Sequence, residues 1–153
     1  MSLPTEDFLG LEPLIIARLK ALCPAARAVL SVDDLADVTE RSQTAPALHV
    51  VYGGFRVNSA TDNGRSAVTE QRWLVIAVTR CSAQRDAAPA EARARSGVLA
   101  REALAAMMGW RPAPGMRPLT LGTPPNPIFS NGMAYIPLAF TALVPVHAPK
   151  LED

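Results

Sequence analysis

Six consecutive apolar residues, Trp73 to Val78 (WLVIAV), constrain this chain more than any other stretch. β-branched and aromatic residues dominate the run, so it reads as a strand buried on both faces. The residues before it, Ser66 to Arg72 (SAVTEQR), are polar at most positions. Upstream again lies Asn63-Gly64, a hairpin signal because both residues tolerate positive φ. The segment from Val57 to Val78 therefore predicts a hairpin with a buried base and a wet tip, its return strand running from Ser66 to Arg80. A core needs no such arm. Two readings of the tip stand: a solvated turn without a role, or a contact with another chain.

The partner strand is Leu48 to Val57 (LHVVYGGFRV), where Gly53-Gly54 predicts a bulge or the close approach of another backbone. Phe8, Leu11, Ile15, Leu19 and Leu22 recur at steps of three and four and predict a helix over about 11–23. Pro13 suits its first turn, Glu12 sits at the positive end of its dipole, and Pro24 stops it. Arg27 to Val32 (RAVLSV) reads as a short first strand. Asp33 and Asp34 then cap a short helical turn through Ala36, and Pro46 ends that connection. Cys81 to Pro89 is a polar connection. Ala90 to Trp110 is rich in helix formers. Leu99, Ala103, Met107 and Trp110 share one face of that helix, Ala100 and Leu104 lie beside it, and Gly109 is a stop. Leu119 to Leu121 is a short strand, GTPPNPIFSNG a turn-rich loop, and Met133 to Val146 a long strand in which Pro137 marks a bulge or an edge. The order gives an α+β fold: a mainly antiparallel sheet, two main helices packed on one face, and a projecting β-hairpin. At 153 residues this is one domain spanning 1–153.

Composition narrows the function. Hydrophobic residues make up 49% and charged residues 19%, a globular balance. No apolar run approaches the ~20 residues that span a bilayer, so no membrane partner is expected. MSLPTEDFLG lacks the basic start of a secretory signal, which points to a cytoplasmic site of synthesis and assembly. The net charge of +1 argues against bulk attraction to nucleic acid; Arg93, Arg95 and Arg101 either face water or, in the weaker alternative, serve a nucleic-acid binder. Charge is uneven along the chain: residues 1–40 carry −4 and residues 41–117 carry +6. That is either ordinary surface charge or an acidic face of one copy set to meet a basic face of the next. From Leu119 to Pro149, 31 residues hold no Asp, Glu, Lys or Arg. They form either a core strand with a prolyl loop or a segment covered by another chain.

Chemistry-bearing patterns are scarce. Cys23 and Cys81 form no CxxC, and with only His49 and His147 beside them no zinc spacing arises, so both thiols are expected free. Asp33, Asp34, Asp37 and Glu40 cluster without a glycine-turned loop to organise a cation site, and read as a solvated acidic cap. GxxxxGKS, GxGxxG, HExxH and GxSxG are absent. Neither histidine has the sequence context of a nucleophile's partner. Trp73 and Trp110 read as core aromatics rather than base-stacking platforms. The expectation is no catalytic residue, no metal and no cofactor, and a protein that binds and assembles instead of catalysing. The competing class, a small enzyme or ligand-binding domain, needs a concave pocket with convergent polar groups.

Taken together, LEPLIIARLKALCPAARAVLSV, ALHVVYGGFRV with its hairpin, QRWLVIAVTR, LAREALAAMMGW and YIPLAFTALV resemble the tail terminator proteins of long-tailed bacteriophages, in the version found in Mu-like phages. The likeness covers nearly the whole chain. It implies an α+β fold with helices outside a sheet and a projecting hairpin. It also implies a structural virion protein: a six-membered ring at the head-proximal end of the tail tube that stops tube polymerisation and presents a surface for head attachment. The partners implied are further copies of this chain, the tail tube protein and a head-completion or neck protein, with DNA only passing through the lumen. Another neck or tail-completion connector is the related alternative. Within this reading, Asp62, Asn63, Gly64 and Arg65 at the hairpin tip are expected to contact a neighbouring subunit or the tube. Pro124, Pro125, Asn126, Pro127, Ile128 and Phe129 are expected to lie between chains.

Overall fold

The computed structural model describes residues 6–32, 45–80, 88–130 and 132–150. The expected helical turn after Asp33, the acidic cluster from Asp33 to Glu40, and the start of the Cys81–Pro89 connection lie outside them.

Helix α1 (Leu11–Leu22) buries Leu11, Ile15 and Leu19 completely. Each contributes about 1.5–3 kcal/mol relative to an exposed position. Phe8 packs at the margin of this core, whereas Leu22, expected on the same stripe, is 45% exposed. The helix closes with the Cys23 N–H donating to Leu19 O, and Pro24 follows. Helix α2 (Ala88–Met107) buries Leu99, Ala103, Ala106 and Met107 against the sheet, with Trp110 half-buried beyond its end. Gly109 has φ +72°, the left-handed conformation that ends helices. Two contacts bind the helices to each other. Arg18 Nε donates to Ala106 O, one of the last carbonyls of α2, at 2.9 Å while its guanidinium stacks 5.3 Å from the Trp110 ring centre. Glu102 Oε2 accepts from the Ala25 N–H just past α1.

The strands are β1 (Ala28–Ser31), β2 (Ala47–Ala60), β3 (Ser66–Arg80), β4 (Thr120–Gly122), β5 (Ile128–Ser130) and β6 (Met133–His147). Their order is β1-β2-β3-β6-β4, and β5 pairs with β6 on the same side as β4, nearer the start of β6. Only β1–β2 is parallel. Both helices cover one face, which carries Leu48, Val50, Trp73, Val75, Ala77, Phe140 and Val144. The opposite face has a smaller cluster around Val51, Leu74, Ile76, Val78 and Tyr135. Every residue from Trp73 to Val78 is buried, as a run apolar on both faces requires.

The paired glycines do what their position suggests. The β2–β3 register slips between Tyr52 and Phe55, and again between Val57 and Ser59. Gly54 has φ +87°, and a Cβ on Gly53 would stand 3.0 Å from Arg72 O. Both the bulge and the close backbone approach are present.

The arm itself differs from a two-stranded hairpin. β6 follows β3 without a register break from Arg80↔Met133 to Ser66↔His147, so three strands run to the tip. The Ala148 N–H donates to Arg65 O in that same register at 2.7 Å. Antiparallel pairs alternate, so even-numbered residues of β6 aim their backbone groups at β3 and odd-numbered ones aim away. Pro137 and Pro145 therefore face outward and cost no bond to β3. Pro137 also falls between the stretches paired with β5 and β4, so of its two expected roles it takes the edge.

Candidate functional site

The polar half of β3 is less wet than its composition suggests. Gln71 is fully buried: its Nε2 donates to Phe8 O at 2.6 Å, and its Oε1 accepts from Trp73 Nε1 at 3.0 Å. Thr69, 5% exposed, donates from Oγ1 to Val144 O at 2.8 Å. These side chains share the helix-side face with Trp73 and need partners because water is excluded there. On the other face Arg56 pairs with Glu70 at 3.0 Å, and Arg72 donates to Thr123 O at 2.9 Å.

Exposure begins further out. Every residue from Phe55 to Arg65, and from Pro145 to Lys150, is exposed. The tip loop is internally braced. Asn63 Oδ1 accepts from Thr61 Oγ1 (2.8 Å) and from the Arg65 N–H (3.0 Å), and Gly64 adopts φ +72°. Arg65 reaches Pro149 O, tying the loop to the segment after β6. Asp62, Asn63, Gly64 and Arg65 thus sit at the very end of the arm. Pro124, Pro125, Asn126 and Pro127 form the connection into β5, and Ile128 and Phe129 lie on β5 itself, beside the opposite end of β6. Tyr135 and His147 are separated by about 40 Å of extended strand, so the two expected patches are not brought together. Phe129 is 59% exposed, and Ile128 is half-buried against Tyr135.

The chemistry available is limited. Ser66 Oγ lies 2.9 Å from His147 Nδ1, a pairing the sequence did not reveal because it depends on strand register. It is a cross-strand contact at an exposed rim, and among the described residues no carboxylate bonds the far side of that ring. Cys23 is buried, and burial together with the nearby Glu102 carboxylate pushes its thiol up to about 11, so it is not a nucleophile at neutral pH. Burial lowers the pKa of His49. Among the described residues no group of three or more His, Cys, Asp or Glu side chains is placed to hold a metal. Among the described residues no helix is long and apolar enough to cross a membrane. A hollow of about 570 Å³ lies over Gly53, Gly54, Arg72, Thr120 and Gly122, but its arginines are engaged by Glu70 and Thr123 O. Another, about 420 Å³ and mainly apolar, lies between Ala45, Pro46, Val98 and Leu99.

What the surface offers in quantity is unpaired backbone and apolar side chains. β1 covers β2 only from Ala47 to Val50, and β4 covers β6 only from Ala139 to Thr141. Among the described residues no strand pairs with either outer strand of the arm beyond those points, although Gly115 to Arg117 lie near Leu143 and Pro145 and the Phe8 ring packs on Phe55. Phe55, Val57, Leu121 and Val146 stand 43–60% exposed along these edges.

Two helices on one face of a mainly antiparallel sheet, with strand edges left unpaired among the described residues, define an α+β domain. More narrowly, the model of the phage tail terminator protein family matches residues 6–149, and the chain belongs to that family. It is a structural protein of the phage tail. No curated protein matches the chain.

Proposed function

We propose that this protein forms a ring, six copies in the reading offered by the resemblance, on the head-proximal end of the tail tube. The ring ends tube polymerisation and presents the surface on which the head-completion or neck protein docks. Assembly takes place in the cytoplasm of the bacterial host, and DNA passes through the lumen without being held. The observation that supports this reading is the three-stranded arm, whose two outer edges differ and, among the described residues, both lie unpaired. A head-to-tail ring uses two different patches on each subunit and closes when the rotation between copies is fixed. Capping follows from the same logic. A growing tube exposes one binding surface at every step. A ring that occupies that surface and offers another on its far side denies the next tube ring its place.

The tip residues Asp62 to Arg65 contact the neighbouring subunit or the tube, and part of Gly122 to Gly132, including Phe129, is covered in the assembly. Replacing Ser59–Ser66 by a minimal Asn-Gly turn tests the first contact. Particles of this variant should carry tails of irregular length or tails unattached to heads, and tails of normal length joined to heads would reject it. Hydrogen exchange over 122–132 should slow on assembly, and unchanged exchange there counts against the second.

A further inference from the structure

We propose that neighbouring copies are joined through their backbones: β2 of one copy adds to the bare outer edge of β6 of the next, as a parallel strand junction that continues the sheet from subunit to subunit. This deepens the ring reading above and rests on it.

Three observations converge. First, the bare edges lie at the same level of the arm. Val57 and Val144 both pair with Thr69, and Ala60 and Val146 both pair with Ala67. A rotation about an axis along the arm brings one edge beside the other with no shift along that axis. Second, the direction is fixed. β2 and β6 are each antiparallel to β3, hence parallel to each other, and rotation preserves direction along the axis. The junction is therefore parallel, with its outward-aimed groups at Phe55, Val57 and Ala60 on one side and at Leu143, Pro145 and His147 on the other. Pro145 withholds one donor but keeps its carbonyl. Third, the exposed apolar side chains flanking these edges lie on one face. Phe55 and Val57 pair with Gln71 and Thr69 on the helix side of the sheet, and Leu121 and Val146 pair with Phe140 and Ala67 on that same side. Edges set side by side place Phe55 and Val57 of one copy against Leu121 and Val146 of the next. Their exposures of 54, 60, 52 and 43% are then put to use. Strand edges left open invite pairing with another chain, and β2, β3 and β6 carry no lysine to discourage it; the two register slips of β2 and Pro145 restrict the junction to those outward-aimed groups.

Two experiments test the junction. Val57→Cys and Val146→Cys are introduced together in a Cys81→Ser background, with Cys23 buried and unreactive, and assemblies on tail tubes are treated with a short bis-maleimide that tolerates a stagger of a residue or two. A ladder of cross-linked multimers from the double variant, with monomers only from each single variant, is expected. In parallel, Val57→Pro removes an outward N–H that makes no bond to β3. The variant should keep its unfolding midpoint and lose ring formation. If Val57→Pro misfolds, the cross-linking result decides alone. Rings that form normally but yield no cross-link overturn the strand junction and leave the ring in place. Absence of any ring from the unmodified protein on tubes overturns both.

Discussion

Gln71→Leu measures how dry the arm is. In the structure this side chain has no exposed surface and satisfies two groups at once, accepting from Trp73 Nε1 at 3.0 Å and donating to Phe8 O at 2.6 Å. Leucine keeps most of the volume but leaves the indole N–H unpaired at a residue only 1% exposed. A stranded buried donor costs about 1–3 kcal/mol, and the half-buried Phe8 carbonyl adds a smaller loss. Apolar burial by leucine returns part of that. The net expectation is a loss of about 1–3 kcal/mol. For a chain of this size, that corresponds to a fall in Tm of roughly 2–12 °C. Urea unfolding of the free chain, followed by circular dichroism, reads the change as a lower midpoint at constant slope. The companion variant Trp73→Phe and the double variant complete a cycle in which the double costs about 1–2 kcal/mol less than the two singles summed, because neither the indole N–H nor the Gln71 Oε1 is then left facing a missing partner. A Gln71→Leu loss below about 0.5 kcal/mol, or additivity within about 0.5 kcal/mol, would refute the claim that this polar stretch is core rather than wet arm.

Two other perturbations follow from the geometry. Gly53→Val puts a branched side chain where even a Cβ meets Arg72 O at 3.0 Å, and destabilises by about 1–3 kcal/mol in the same unfolding assay, whereas an insertion of that size at exposed Gly97, where nothing lies within 4 Å, costs far less. Because the folded pKa of His49 lies below its ordinary 6.5, the unfolded chain binds the extra proton. This contribution to stability is intact above about pH 6.5 and is lost as the pH falls below it, with a slope of at most about 1.4 kcal/mol per pH unit. His49→Gln should flatten the difference between unfolding midpoints at pH 7.5 and pH 5.5, and an identical pH dependence in both proteins would contradict it.

Much of this fold is legible in the sequence because the decisive signals are local. Asn63-Gly64 and the change of character at Trp73 place β3, and Gly53-Gly54 marks a real slip in register. The steps from Leu11 to Leu19 and from Leu99 to Met107 place two helices on one face. What the sequence hides is non-local. Nothing in MAYIPLAFTALVPV states that it pairs with β3 over its whole length, so the arm reads as two strands when it has three. The same omission conceals why Thr69 and Gln71 are polar. They look like solvent-facing residues of a hairpin, but the Val144 carbonyl and the Phe8 segment that satisfy them come from distant parts of the chain. β5 escapes notice because Ile128–Ser130 sits among prolines and glycines, and its pairing depends on β6. The tip and the Pro124–Phe129 connection were each visible as unusual segments. Their separation along β6, and the coincidence in height of the two bare edges, emerge only from the register.

The most direct measurement of the central claim is electron microscopy of the protein mixed with its own tail tubes, followed by addition of fresh tube subunits. A single additional ring should stand at one end of each tube, and that end should no longer lengthen. Tubes that grow equally from both ends while the protein stays unbound would contradict the account.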